Sequence, residues 1–353
     1  VRALCIGFGV ALLAGTTGAQ DNTTKTQMVA LPVLGSAPET GLQFGVAAFA
    51  TRTRSTSRPT QLQLTGVRTA KRQTMLRLES EYWSAADRWR VTTLLGWEQF
   101  PLTYFGVGDR TPSGAAEGYT QRGPDVRLAV ARAIAPTRWV EGSVRRLEQA
   151  VTRTAPDGVL ASGTVLGARG GRTVEATLGV IADSRDNVFA SSRGHVVQLS
   201  GSVADAAIGS TFGYRGVRFD ARRFQSLGAD HVVAGQVLIE GRDGDVPFDQ
   251  LVRYGTSRAV RGYELGRYRD RWGTAVQVEY RSPIVWRLGV VAFAGGGFLA
   301  PRPGALFDAR LLPSVGVGGR FRVDVVSKAT LRADLAFGRD GATGLYIGFN
   351  ESF

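Results

Sequence analysis

Residues 272–281 run Trp272-Gly273-Thr274-Ala275-Val276-Gln277-Val278-Glu279-Tyr280-Arg281. Trp272, Thr274, Val276, Val278 and Tyr280 form one face, and Gly273, Ala275, Gln277, Glu279 and Arg281 the other. A period of two is the mark of a β-strand whose faces meet different surroundings. Soluble strands average about 5–6 residues, whereas roughly 9–11 tilted residues cross a bilayer. The same alternation recurs: Leu331, Ala333, Leu335 and Phe337 stand against Arg332, Asp334 and Ala336, and Leu76, Leu78, Ser80 and Tyr82 against Arg77, Glu79 and Glu81. Val174, Ala176, Leu178 and Val180 alternate with Thr173, Glu175, Thr177 and Gly179, and Leu345, Ile347 and Phe349 with Tyr346, Gly348 and Asn350. With turns read from Gly, Pro, Asn and Asp clusters, sixteen such strands fit between 27 and 353. An even number of antiparallel strands closed on itself satisfies every backbone group without water. The fold expected is therefore all-β, a sixteen-stranded antiparallel transmembrane β-barrel.

Connection lengths support this reading. Long segments at 100–120, 153–171 and 243–270 alternate with short ones such as Ala135-Pro136-Thr137 and Pro283-Ile284-Val285. Outer-membrane barrels have long outer loops and short periplasmic turns, so both termini are expected in the periplasm.

The first nineteen residues read as a signal peptide: Arg2, an apolar run over Ala3–Gly15, and small residues Thr17-Gly18-Ala19. Residues 20–26 are then a short periplasmic lead and 27–353 the barrel. The single cysteine, Cys5, lies in the signal, which leaves no thiol or disulfide in the exported chain. The formal charge of +13 is almost all arginine, spread along alternating strands. That distribution suits lipid phosphates or a charged barrel interior and not nucleic acid. Two histidines, His195 and His231, exclude a His/Cys metal centre. No cofactor or metal is expected, and no enzyme, although Asp230-His231 with a serine leaves an outer-membrane lipid hydrolase as a distant alternative.

Four strings in this order resemble the bacterial surface-antigen barrels of the outer-membrane assembly-factor superfamily (BamA/TamA-like). Pro38-Glu39-Thr40-Gly41 is similar to the family's first outer hairpin. Asp183-Ser184-Arg185-Asp186-Asn187 through Gly194 resembles its inner turn, with Ser191 and Ser192 where a proline is common. Val260-Arg261-Gly262-Tyr263 matches the signature on the sixth outer loop. Leu345, Ile347, Phe349 and the terminal Phe353 resemble the C-terminal signal read by the barrel-insertion machinery, with Glu351 departing from an aromatic. The resemblance implies that the sixth loop folds into the barrel and that Arg261 pairs with Glu279 on the inner wall. The family's second acid, on the next strand, is replaced by Gly295 in Phe293-Ala294-Gly295-Gly296-Gly297, so a one-acid clamp is expected. Loop acids Asp243, Asp245, Asp249, Glu264 and Asp270 are expected to meet an arginine-lined interior.

Too few residues separate Ala19 from the first strand for polypeptide-transport-associated (POTRA) domains, so a barrel without them is expected. The resemblance implies insertion or translocation of polypeptides, or lipid handling, at the outer membrane. The partners it implies are outer-membrane lipids, lipopolysaccharide and a polypeptide client or soluble periplasmic protein. A passive pore favouring anions through its arginines is the alternative.

Overall fold

The computed structural model describes residues 24–54, 57–187, 190–323, 328 and 330–353. The signal segment 1–19 and its Cys5 lie outside the described residues. The strands are β1 (Thr24–Ala37), β2 (Gly41–Arg54), β3 (Ser57–Thr69), β4 (Thr74–Trp83), β5 (Trp89–Tyr104), β6 (Glu117–Ala135), β7 (Arg138–Thr152), β8 (Gly171–Asp183) and β9 (Gly194–Ala204). There follow β10 (Tyr214–Ser226), β11 (Val232–Gly244), β12 (Val252–Arg253), β13 (Arg269–Asp270), β14 (Trp272–Arg281), β15 (Leu288–Ala300), β16 (Leu312–Arg322), β17 (Thr330–Phe337) and β18 (Thr343–Phe349). Sixteen of them close an antiparallel barrel, and β12 and β13 make a separate two-stranded ribbon within the 245–271 connection.

Burial follows the pleat. On β14, Val276 and Val278 are 58% and 49% exposed, while Ala275, Gln277, Glu279 and Arg281 are buried. The apolar row faces outward and the polar row inward, the reverse of a soluble domain and the arrangement a lipid solvent selects. The long connections 105–116, 153–170 and 245–271 gather at one end, the loop end; turns such as 136–137 and 282–287 gather at the other.

The expected connections 153–171 and 243–270 are found at 153–170 and 245–271, and two other boundaries differ more. The lead assigned to 20–26 is already strand from Thr24, because Thr24 to Ala37 pair with β2 along their whole length. The loop placed at 100–120 shrinks to 105–116, since Phe100–Tyr104 pair with Glu117–Gln121. That extension is held above the wall by Tyr104, Tyr119, Leu160, Ala168 and Phe248, a buried cluster that the loop end supplies for itself.

Candidate functional site

The long connection turns back inside the barrel, and its anchor is Arg261. The side chain is fully buried. One terminal nitrogen donates to Glu279 Oε2 at 2.8 Å and the other to Asp334 Oδ2 at 2.6 Å. The guanidinium lies 3.4 Å from the centroid of the Phe293 ring. A planar fork suits this seat, because it serves two carboxylates and stacks on an aromatic at once. The one-acid clamp is thus corrected. Gly295 does leave β15 without its acid, but Asp334 on β17 supplies a second from farther round the wall. It can reach because β16 carries Gly318 opposite it: a Cβ there would lie 2.1 Å from Asp334 Oδ1.

The rest of the motif is seated as tightly. Val260 holds φ +53°, costly for a β-branched residue, and is buried. Gly262 has φ +105°, and a Cβ there would strike the backbone of Phe337. Its N–H donates to Tyr346 Oη at 3.0 Å, and that hydroxyl donates to the Tyr263 carbonyl at 3.0 Å. Tyr263 Oη donates to Pro313 O and accepts from Arg339 N, each at 2.8 Å. A second anchor was not read from the sequence. Arg269, 1% exposed, donates to the carbonyls of Phe248, Thr103 and Gly266.

The loop acids do not play the role expected of them. Asp243 and Asp245 are exposed. Asp249 accepts from Gln121 and Gln250, Glu264 from Thr103, and Asp270 from the Arg271 N–H. Polarity runs the other way: loop arginines enter, and wall acids receive them.

Arg281 joins the remaining motifs. It donates to Glu279 Oε1 at 2.9 Å, to the Ser191 carbonyl of the 184–193 turn at 3.2 Å, and to the Phe353 carbonyl at 2.9 Å. The turn is self-contained. Asp183 receives both the backbone and the guanidinium of Arg185. Asp186 receives the N–H groups of Asn187, Ser192 and Arg193, and Asn187 Oδ1 that of Ala190. Gly194 closes it at φ +99°.

Phe353 corrects a further expectation. Leu345 faces outward, but β18 ends at Phe349, Asn350 adopts φ +58°, and Phe353 packs inside against Phe224 and Ala234. The four last residues therefore leave the alternation. Glu351, unlike an aromatic, can enter the interior ion network, where it accepts from Arg320 at 2.8 Å. His231 Nδ1 lies 2.6 Å from Tyr280 Oη.

Residues 52–353 match the Omp85 superfamily domain. The chain belongs to the Omp85 superfamily. Among solved structures it is similar to BamA from Haemophilus ducreyi lacking POTRA domains 1–3, at 12% identity and a TM-score of 0.64, over 98% of this chain and 75% of that one. It is also similar to CdiB from Acinetobacter baumannii, at 14% identity and a TM-score of 0.59, over 94% of this chain and 60% of that one. At such identities the likeness is one of fold. The curated protein sequences give no match. Family and fold together make this a β-barrel of the bacterial outer membrane.

The first hairpin of this Omp85 barrel meets the same loop. Glu39, in the turn between β1 and β2, has one carboxylate oxygen buried without a hydrogen-bond partner among the described residues. Burial pushes Glu39 up to about 7 from an ordinary 4.5, with the Glu264 charge adding to it, against its own backbone N–H, the Leu265 N–H and Lys71. A carboxyl whose folded value is raised contributes stability that is complete below the unfolded value and lost as pH rises through the folded one. The contact between first hairpin and loop should accordingly loosen between pH 5 and 7.5, seen as faster proteolysis within 245–271. Glu39→Gln should flatten that dependence.

The barrel closes unevenly. β1 and β18 share a single register position, Ser36 opposite Ile347. Below it, from Thr24 to Gly35, β1 has no register partner in β18 among the described residues, because β18 stops and the chain turns inward. A strand edge with free N–H and C=O groups is a template for another strand.

Proposed function

We propose that this Omp85 barrel inserts polypeptides into the outer membrane or passes them across it, acting by binding and not by catalysis. The observation that carries the reading is the edge of β1, unpaired among the described residues, beside a one-position closure. In hydrocarbon, open backbone groups are costly, and a client strand that adds to them gains main-chain hydrogen bonds without a fixed sequence. The loop end points outward and both termini lie in the periplasm. Outer-membrane lipids and lipopolysaccharide surround the wall, and the barrel-insertion machinery assembles it. A polypeptide client, delivered by a soluble periplasmic partner, is the substrate.

The Arg261 clamp favours this reading over a passive anion pore. A loop fixed inside by two buried acids obstructs steady conduction. The reconstituted barrel should give small, flickering currents across a planar bilayer. Large stable currents with anion preference would replace the proposal with the pore.

A further inference from the structure

On the outward wall at the loop end, β5 to β8 line an open groove of about 460 Å³ that none of the motifs above uses. Cross-strand register brings its lining together: Trp97 stands opposite Pro124, Arg122 opposite Ala150, and Glu148 opposite Arg172. Toward the turn end the same outward rows become apolar, with Leu95, Val126, Leu128, Val144 and Leu178 all at least 40% exposed. The groove therefore marks the upper edge of the hydrocarbon belt, where tryptophan is at home and a charge on the lipid face is cheapest.

Its charge is unbalanced. Glu148 is already taken by Arg146, which donates from Nε at 3.0 Å. Arg172 donates from Nε to the Gly209 carbonyl at 2.7 Å and faces Glu148 across the strands, and its two terminal nitrogens make no hydrogen bond among the described residues. Arg122 is exposed and has no side-chain partner among the described residues. Two guanidinium forks stand on either side of Trp97, Pro124, Ala150 and the Arg146-paired Glu148, directly above a lipid-facing wall, and match a phosphate monoester that carries acyl chains.

We infer that this groove binds a phosphorylated glycolipid of the outer leaflet, of the lipid A class. Its phosphate lies between Arg122 and Arg172, and its chains run down past Leu95, Val126 and Leu128. Free phosphate fits less well, since nothing about it uses the apolar wall below. The inference rests on the outward placement of the loop end and is independent of the client reaction.

The test is native mass spectrometry of the whole barrel in detergent, titrated with bis-phosphorylated lipid A and with the same lipid after phosphate removal. Loss of charge-assisted bonds to a phosphate should weaken binding about tenfold or more. The dephosphorylated lipid should show that loss on the unaltered protein, and R122A/R172A should show it with the phosphorylated lipid. R110A/R302A, which removes equal charge from loops at the same end, should change binding less than about twofold. Millimolar inorganic phosphate should not displace the lipid. Equal binding of both lipids, equal loss in the control pair, or displacement by phosphate would overturn the site. An impermeant maleimide on intact cells carrying R110C reads orientation separately. Absence of labelling would overturn the outer-leaflet assignment, even with binding intact in detergent.

Discussion

Arg261→Ala is expected to destabilise the barrel by roughly 3–5 kcal/mol, the usual cost of stranding buried charge, and to free the 245–271 connection. Two carboxylates, both fully buried, lose their shared donor, and the Phe293 ring loses its stacking partner. The measurement is the temperature at which the folded band is lost in a heat-modifiability gel, with proteolysis of the loop alongside. Glu279→Ala should cost less, because Asp334 still holds Arg261. Arg261→Ala/Glu279→Ala should fall short of the sum of the singles, since the two share one bond. Arg261→Lys should recover only part of the loss, because an ammonium cannot serve two acids and cover a ring. An Arg261→Ala barrel within about 0.5 kcal/mol of the parent would place the residue with ordinary surface substitutions and remove it from the site.

Much of this was legible in the residues because a membrane barrel is written in period two. The inward row Gly273, Ala275, Gln277, Glu279 and Arg281 follows from alternation alone, and so does the placing of Asp334 opposite Leu335 in facing. What alternation cannot supply is neighbourhood around the wall. That Asp334 reaches Arg261 depends on the register of β16 and β17 and on the space left by Gly318, neither of which has a local signal. Phe353 misled for a different reason. Its spacing from Phe349 continues the period, but Asn350 in a left-handed conformation ends the strand between them. Asparagine tolerates that conformation better than most residues, the one available hint. Arg269 was hidden among many arginines, as its acceptors are backbone carbonyls, of Thr103 on β5 and of Phe248 and Gly266 in its own connection. The inner turn is visible in the sequence as a compact string because its bonds are local, Asp183 to Arg185 and Asp186 to Asn187, Ser192 and Arg193.

A disulfide across the closure is expected to have the largest effect on function. Ser36 and Ile347 are register partners on neighbouring antiparallel strands, within the geometry a disulfide can span. Their replacement by cysteine, in a Cys5→Ser background, would tie β1 to β18 at the one position they share. The substitution changes one residue on each of two wall strands and leaves the Arg261 seat untouched, so the locked barrel should fold and keep its small conductance. It should lose the ability to part its first and last strands, and a client strand could no longer reach the β1 edge. The direct measurement is the rate at which a urea-unfolded outer-membrane β-barrel polypeptide folds into liposomes containing this protein, read by heat-modifiable gel mobility. The parent and the reduced double variant should accelerate folding over empty liposomes, and the oxidised variant should not, with activity returning on addition of reductant. An oxidised barrel that accelerates folding as well as the reduced one would contradict a lateral opening between β1 and β18.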